Sequence, residues 1–278
     1  MSLERFDLTG RVAIVTGAVG LLGKQHVRAL FEAGAHVVAA DVSAAAAKAF
    51  AESFPREIAK GAAAPRVLGL GVDVTSKTSL EAARDTILAE FGRIDALVNN
   101  AAINDMFESP QAGAELSKFE NYPLELWQRS LDVNVTGVFL CSQILGTPMA
   151  RAGRGSIINV ASTYGLVAPD QSIYVRPDGT QTFYKSASYP ATKGAVLSFT
   201  RFLAAYWGHA GVRVNALCPG GIENNQEPYF QANYAKKTPL GRMAKSDEMS
   251  GAIVYLASDA SSYMTGSAMV VDGGWTAW

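Results

Sequence analysis

Tyr189 is followed four residues later by Lys193, at the head of a long apolar-periodic run. Residues four apart on a helix share a face, so a phenol and an ammonium meet at one site. A free tyrosine titrates near ~10, and a fixed cation beside it favours the phenolate, bringing a proton donor or acceptor toward neutral pH. Nearby Tyr184 has only Ser188 four residues on, and Lys185 is read as pointing elsewhere, which leaves Tyr189 as the candidate. Such a pair also arises in helices by coincidence, so its meaning depends on what the rest of the chain brings to it.

A dinucleotide site is the first thing it brings. Thr16-Gly17-Ala18-Val19-Gly20-Leu21-Leu22-Gly23 joins a short β-branched run, Arg11 to Thr16, to a helical pattern from Leu21 to Ala33. Glycines there allow a tight turn and close approach to a pyrophosphate, and the helix N-terminus offers unpaired N–H groups; Gly17, Val19, Leu21, Leu22 and Gly23 are the expected contacts. Asp41 ends the next β-run, where a carboxylate accepts hydrogen bonds from ribose hydroxyls and repels a 2′-phosphate, so NAD is expected over NADP. Asp41 also has a plainer reading as an acid ahead of a helix start. Val42 follows it, and Asp73 with Val74 ends the third run, where the adenine edge would lie.

The elements that position these groups alternate regularly. Strands are expected at Arg66 to Val72, Ile94 to Val98, Ser156 to Val160, Val212 to Leu217 and Ala268 to Val271. Helices are expected from Ser76 to Phe91, about Leu124 to Met149, after Lys193, and from Ser246 to Ala257. Strand–helix alternation implies an α/β fold: a doubly wound, parallel, seven-stranded sheet in a single domain spanning residues 1–278.

Composition narrows the function classes. With 24 Lys and Arg against 25 Asp and Glu and no basic cluster, neither a nucleic-acid footprint nor a membrane-surface patch is expected. No apolar leader and no run of membrane-spanning length are read, so the expectation is a cytoplasmic protein. The two cysteines, Cys141 and Cys218, sit in apolar segments and are read as buried thiols, and the three histidines lack ligand spacing, so no metal site is expected.

After the fourth run, Asn99-Asn100-Ala101-Ala102 resembles the Asn-Asn-Ala-Gly of the short-chain dehydrogenase/reductase family. The resemblance continues through Asp132-Val-Asn134-Val-Thr-Gly137, Gly155 to Ser162, Tyr189 with Lys193, Asn215 to Pro219-Gly220, and Asp272-Gly273-Gly274, covering nearly the whole chain. It implies an NAD-dependent oxidoreductase interconverting a secondary alcohol and a ketone. By that resemblance Ser162 holds the substrate oxygen, Tyr189 exchanges its proton, and Lys193 lowers the tyrosine pKa and binds the nicotinamide ribose. Asn134 would anchor a water that leads protons out. Asn100, Ala101, Ala102, Pro219, Gly220, Ile222 and Asn224 would complete the cofactor site, with Asn224 where the family commonly has Thr. The glycine spacing Gly-x-x-Gly-x-x-Gly is closer to the extended members that epimerise or dehydrate nucleotide sugars with retained NAD, whereas chain length and the other motifs follow the shorter members. A catalytically idle dinucleotide-binding regulator is the alternative outside enzymes.

Three enlargements, near 103–122, 165–186 and 221–240, are expected to shape the substrate mouth, because ligands of parallel sheets bind at the C-terminal ends of the strands. They carry Asn104, Asp105, Tyr164 at their border, Gln171, Arg176, Gln181, Gly221 and Gln226. Hydroxyl-matching groups with few aromatics suggest a polar, sugar- or polyol-like small molecule, as in carbohydrate-modifying members. Pro177-Asp178-Gly179 is a turn signal. Apolar residues on two faces of the helix after Lys193, including Phe202 and Tyr206, imply burial on two sides, and the resemblance implies a homotetramer or homodimer. Trp275 and Trp278 are expected to meet another subunit or its mouth.

Overall fold

The computed structural model describes residues 3–55, 64–104 and 110–278. Seven strands form one sheet in the order β3-β2-β1-β4-β5-β6-β7: β1 Val12–Thr16, β2 His36–Asp41, β3 Val67–Gly71, β4 Ala96–Asn99, β5 Gly155–Val160, β6 Val212–Pro219 and β7 Ala268–Val271. Every neighbouring pair is parallel. The strand runs are largely apolar because the sheet is covered by a core on each face. Ala13 and Val15 face one cluster with Val27, Leu30 and Leu256, while Val12 and Ile14 face the other with Leu80, Leu145 and Met149. That is the period-2 alternation of a sheet buried on both sides.

The helices are α1 Leu21–Glu32, α2 Ala44–Glu52, α3 Lys77–Phe91, α4 Pro110–Ser117, α5 Leu124–Leu131, α6 Gly137–Arg151, α7 Ser188–Trp207, α8 Pro228–Lys236 and α9 Ser250–Ala257. The helix expected over 124–149 is interrupted by a π-helical turn, Asp132–Thr136, that holds Asn134. Such turns insert an extra residue and redirect a side chain, and they recur at functional positions. The whole helical run Leu124–Arg151 does reach membrane-spanning length and hydropathy, contrary to the reading of the sequence, but half of its most apolar window is buried inside this protein. It is a core helix on the sheet. α7 starts at Ser188, earlier than expected, because Pro190 lies in its first turn, where a missing N–H is no loss. α8 was not foreseen; its periodicity is weak.

The strand order reverses direction of winding between β1 and β4, so their C-terminal ends part and leave a crevice. Asn100 fixes one wall of it. Its amide donates to the carbonyls of Thr16 at 2.9 Å and Gly17 at 3.1 Å, tying the segment after β4 to the glycine loop. A side chain at Gly17 would come within 2.8 Å of the Ala101 backbone, and one at Gly23 within 2.1 Å of the Gly17 carbonyl. Behind the crevice, a buried polar chain runs from Ser142 through Asn99 and Asn159 to Thr200, at 3.1, 2.8 and 2.9 Å. It sets α6 and α7 in register with the sheet, since buried amides are costly unless paired.

Candidate active site

One cavity of about 1360 Å³ opens along the C-terminal ends of the strands, from Asp41 and Val42 to Ser162, Tyr189 and Lys193. That exceeds the roughly 300–1,000 Å³ of a pocket for one small ligand. All the cofactor residues read from the sequence line it except Gly23, which acts instead by letting α1 approach the loop. The residues present fit a dinucleotide. The Gly17 and Gly20 turn leaves the start of α1 uncovered, and no side chain at Gly20 fills it. Asp41 closes the far end, its carboxylate accepting from the main-chain N–H groups of Val19 and Ser43, each at 3.2 Å. Asp73 lines the same end, with its carboxylate bonded to Thr75.

At the other end, α7 presents Tyr189 and Lys193 on one face, and Ser162 comes from the end of β5. The Ser162 hydroxyl and the Tyr189 phenol line the same end of the cavity, near enough for the serine to act on the phenol's ionisation. Burial raises the Tyr189 pKa, and the neighbouring Ser162 hydroxyl lowers it in part. The Lys193 Nζ lies 5.7 Å from the centre of the Tyr189 ring and donates to the Val160 carbonyl at 2.7 Å. Burial brings the Lys193 pKa down to about 8. The phenol's own burial holds its pKa up, while the nearby ammonium is itself desolvated and turned to a main-chain oxygen.

Asn134 does not line the cavity. Its carboxamide accepts from Ile103 N at 2.8 Å and donates to Ile103 O at 2.9 Å and to Thr192 Oγ1 at 3.3 Å. Its side chain is thus committed to holding the segment after β4 against α7. Gln171 also lies outside the cavity, which corrects its reading as a substrate contact. Its amide accepts from Lys185 N at 2.9 Å and donates to Lys185 O at 3.1 Å. Lys185 does not point elsewhere: its Nζ sits 4.1 Å from the centre of the Tyr189 ring and donates to the Asn104 carboxamide oxygen. Asn104, Tyr164, Gly221 and Gln226 line the cavity. Gln226 is braced by Asn224 N at 2.7 Å and Ile222 O at 2.8 Å. Asp105 lies outside the described residues.

The expectation of few aromatics is overturned. Tyr164, Tyr174, Phe183, Tyr229, Phe230 and Tyr234 all line the substrate end. Tyr174 lies 5.1 Å from Phe183 and 5.2 Å from Phe230, ring centre to ring centre, and Tyr234 stacks on Trp275 at 4.3 Å. Trp275 is therefore buried in its own chain, while Trp278 is exposed. The Pro-Asp-Gly stretch does turn, with Gly179 at φ +82° and Val175 bridging Gln181. No sequence spacing ties these rings together, since they come from three distant segments.

A family model described as enoyl-(acyl carrier protein) reductase matches residues 17–276. A 3-alpha-(or 20-beta)-hydroxysteroid dehydrogenase of Mycobacterium tuberculosis is 40% identical over 267 residues, covering 96% of this chain and 90% of that protein. A D-threitol dehydrogenase of Mycolicibacterium smegmatis is 36% identical, covering 98% and 95%. An NAD-dependent glycerol dehydrogenase of Listeria innocua is 32% identical, covering 98% and 96%. Among solved structures, a gluconate 5-dehydrogenase from Burkholderia cenocepacia in complex with NADP and tartrate superimposes with a TM-score of 0.82 at 33% identity, covering all of both chains.

The buried Lys193 gives a stability test. Its folded pKa of about 8 lies below the ordinary 10.5, so between those values the unfolded chain binds the extra proton and stability from this site rises with pH. Below that window the cost of the buried ammonium is present in full. In urea unfolding at a series of pH values, the wild-type minus Lys193→Met stability difference should move in favour of the wild type through the window and be flat beneath it. A difference that stays flat throughout would show that the ammonium is not buried at a cost.

Proposed function

The chain belongs to the short-chain dehydrogenase/reductase family and is an oxidoreductase of CH–OH groups that uses a nicotinamide dinucleotide, and from that premise we propose that it is NAD-linked and acts on a compact polyol or ring alcohol. The observation that carries this reading is the Ser162–Tyr189 hydroxyl pair with Lys193 on the same helix face, inside a cavity continuous with the Asp41 end. When bound, the nicotinamide supplies the hydride acceptor or donor. The Ser162 hydroxyl holds the substrate oxygen and Tyr189 takes or returns its proton. Lys193 adds a positive charge beside both, and Asn134 keeps the Ile103 segment and α7 in place around them.

The aromatic wall revises the substrate class. Tyr174, Phe183 and Phe230 offer flat apolar surface, and Asn104, Lys185 and Gln226 offer donors and acceptors. A molecule that lays one apolar or C–H face on the rings and turns its hydroxyls to the opposite side satisfies both. The relatives' named substrates, a hydroxysteroid, threitol and glycerol, span that range. A screen for NADH formation over secondary alcohols, polyols and cyclic diols should find turnover that Tyr189→Phe lowers by about 10²-fold or more. Interconversion of a nucleotide sugar without net NADH would point instead to an enzyme that retains its cofactor, and full activity in Tyr189→Phe would end the assignment of the phenol.

The preference for NAD rests on the Asp41 carboxylate at the adenosine end. Replacing it by Ala should lower kcat/KM for NAD by about tenfold, the scale of one charged hydrogen bond, and raise that for NADP. A wild-type enzyme that reduces NADP as readily as NAD would refute the preference.

Assembly through α6 and α7 is part of the same reading. Phe139, Phe202 and Tyr206 are exposed at 45, 60 and 60%, and Phe202 stacks on Tyr206 at 5.8 Å. A run of exposed rings on a helix whose other face is core fits a self-complementary interface. Light scattering should give a homodimer or homotetramer for the wild type and a smaller species for Phe202→Asp; a monomeric wild type would exclude it.

A further inference from the structure

The segment just before α7 brings a second ammonium to the phenol. Lys185 lines the cavity, and its Nζ is closer to the Tyr189 ring centre than the Lys193 Nζ is, 4.1 against 5.7 Å. Its main chain is held at both polar atoms by one side chain, Gln171, across a separation of 14 residues. Its side chain is aimed by Asn104, which accepts a hydrogen bond from Nζ. Three separate contacts thus fix where this ammonium stands.

We propose that Lys185 is a second cationic positioning residue for the Tyr189 phenol, delivered to it by the 165–186 enlargement. The inference deepens the reading of Tyr189 as the proton-exchanging group and rests on it. A cation over an aromatic face is attracted to the ring, which holds the phenol at the cavity end. The same positive charge favours the phenolate over the phenol. Lys193 is committed to the Val160 carbonyl, and Lys185 adds a separately anchored charge on the ring itself. Burial pushes the Tyr189 phenol up, and a second ammonium 4.1 Å from its ring centre is placed to oppose that push. Gln171 then matters through Lys185: by clamping the backbone of residue 185 it ties the enlargement to the reacting group.

Among the described residues, the titratable and charged groups around this phenol are Lys185 from the enlargement, Lys193 from α7, and the Tyr164 and Tyr174 hydroxyls, whose pKa values burial raises. Cys218 lies against Lys193, and burial pushes its thiol up to about 11. Of these, Lys185 is the one fixed by the enlargement.

The test is the ionisation of Tyr189 itself, read as the tyrosinate absorbance difference between each protein and its Tyr189→Phe counterpart, with NAD saturating. Lys185→Met, which keeps the chain length and removes the charge, should move the midpoint up by about half a unit or more, whereas Lys185→Arg should leave it in place. Gln171→Leu, which keeps the charge but frees the backbone, should give an intermediate rise. An unchanged midpoint in Lys185→Met overturns the proposal. The titration needs no turnover, so failure of the alcohol screen and failure of the Lys185 role are separate results. Should Lys185→Met prove too unstable to titrate, Lys185→Gln carries the same expectation and the same refutation.

Discussion

The burial of an uncompensated ammonium is the constraint around which this molecule is built. Lys193 is 4% exposed, and among the described residues its hydrogen-bond partner is the Val160 carbonyl, not a carboxylate. A charge taken out of water without an ion partner is expensive, and a chain selected for stability alone would place an apolar side chain there. Everything near it makes that placement workable. β5 ends so that its last carbonyl faces α7, and the buried amide and hydroxyl chain from Ser142 to Thr200 prevents the helix from sliding along the sheet. Perturbed ionisation within a cleft is the mark of a site that does chemistry.

The same logic of fixing a reactive group by ordinary hydrogen bonds recurs around the crevice. Asn100 holds the glycine loop to the segment after β4, Asn134 holds the next residues of that segment to α7, and Gln171 holds the approach to α7. Asn134 and Gln171 each use both ends of the carboxamide on the protein, and Asn100 gives its amide nitrogen to two main-chain carbonyls. Three segments that are remote in the chain are thereby held in one arrangement before any ligand arrives. Such preorganisation lets a weakly basic phenol work without reorganising its surroundings.

Much of this was readable beforehand, and the reason is range. Tyr189 and Lys193 are four apart, the glycine loop is eight residues long, and the strands are continuous apolar runs, so short-range spacing carried the proton device, the dinucleotide turn and the seven-stranded sheet. What failed was long-range. Gln171 looks like any polar loop residue, and only the fold reveals that it closes on residue 185. Lys185 precedes the helix start, so helical spacing gave no direction for its side chain. The rings of Tyr174, Phe230 and Trp275 come from three separate segments, and composition spread over the chain concealed that they gather at one mouth.

That gathering has a physical consequence for specificity. The enlargements at 165–186 and 221–240 are bound to each other: Asn233 donates to the carbonyls of Ile173 and Val175, at 3.3 and 3.0 Å, and Lys237 pairs with Asp170. Tyr234 completes the link, its hydroxyl accepting from Gly221 N while its ring stacks on Trp275. A substrate pressed on Tyr174 or Phe230 therefore pushes on the same body that carries Gln171 and, through it, Lys185. Binding energy gained on the aromatic wall can be felt at the phenol without any contact between substrate and Lys185, because the connecting pieces are packed rings and paired main chain rather than free loop. The aromatic cluster and the segment that carries Gln171 and Lys185 are one packed unit.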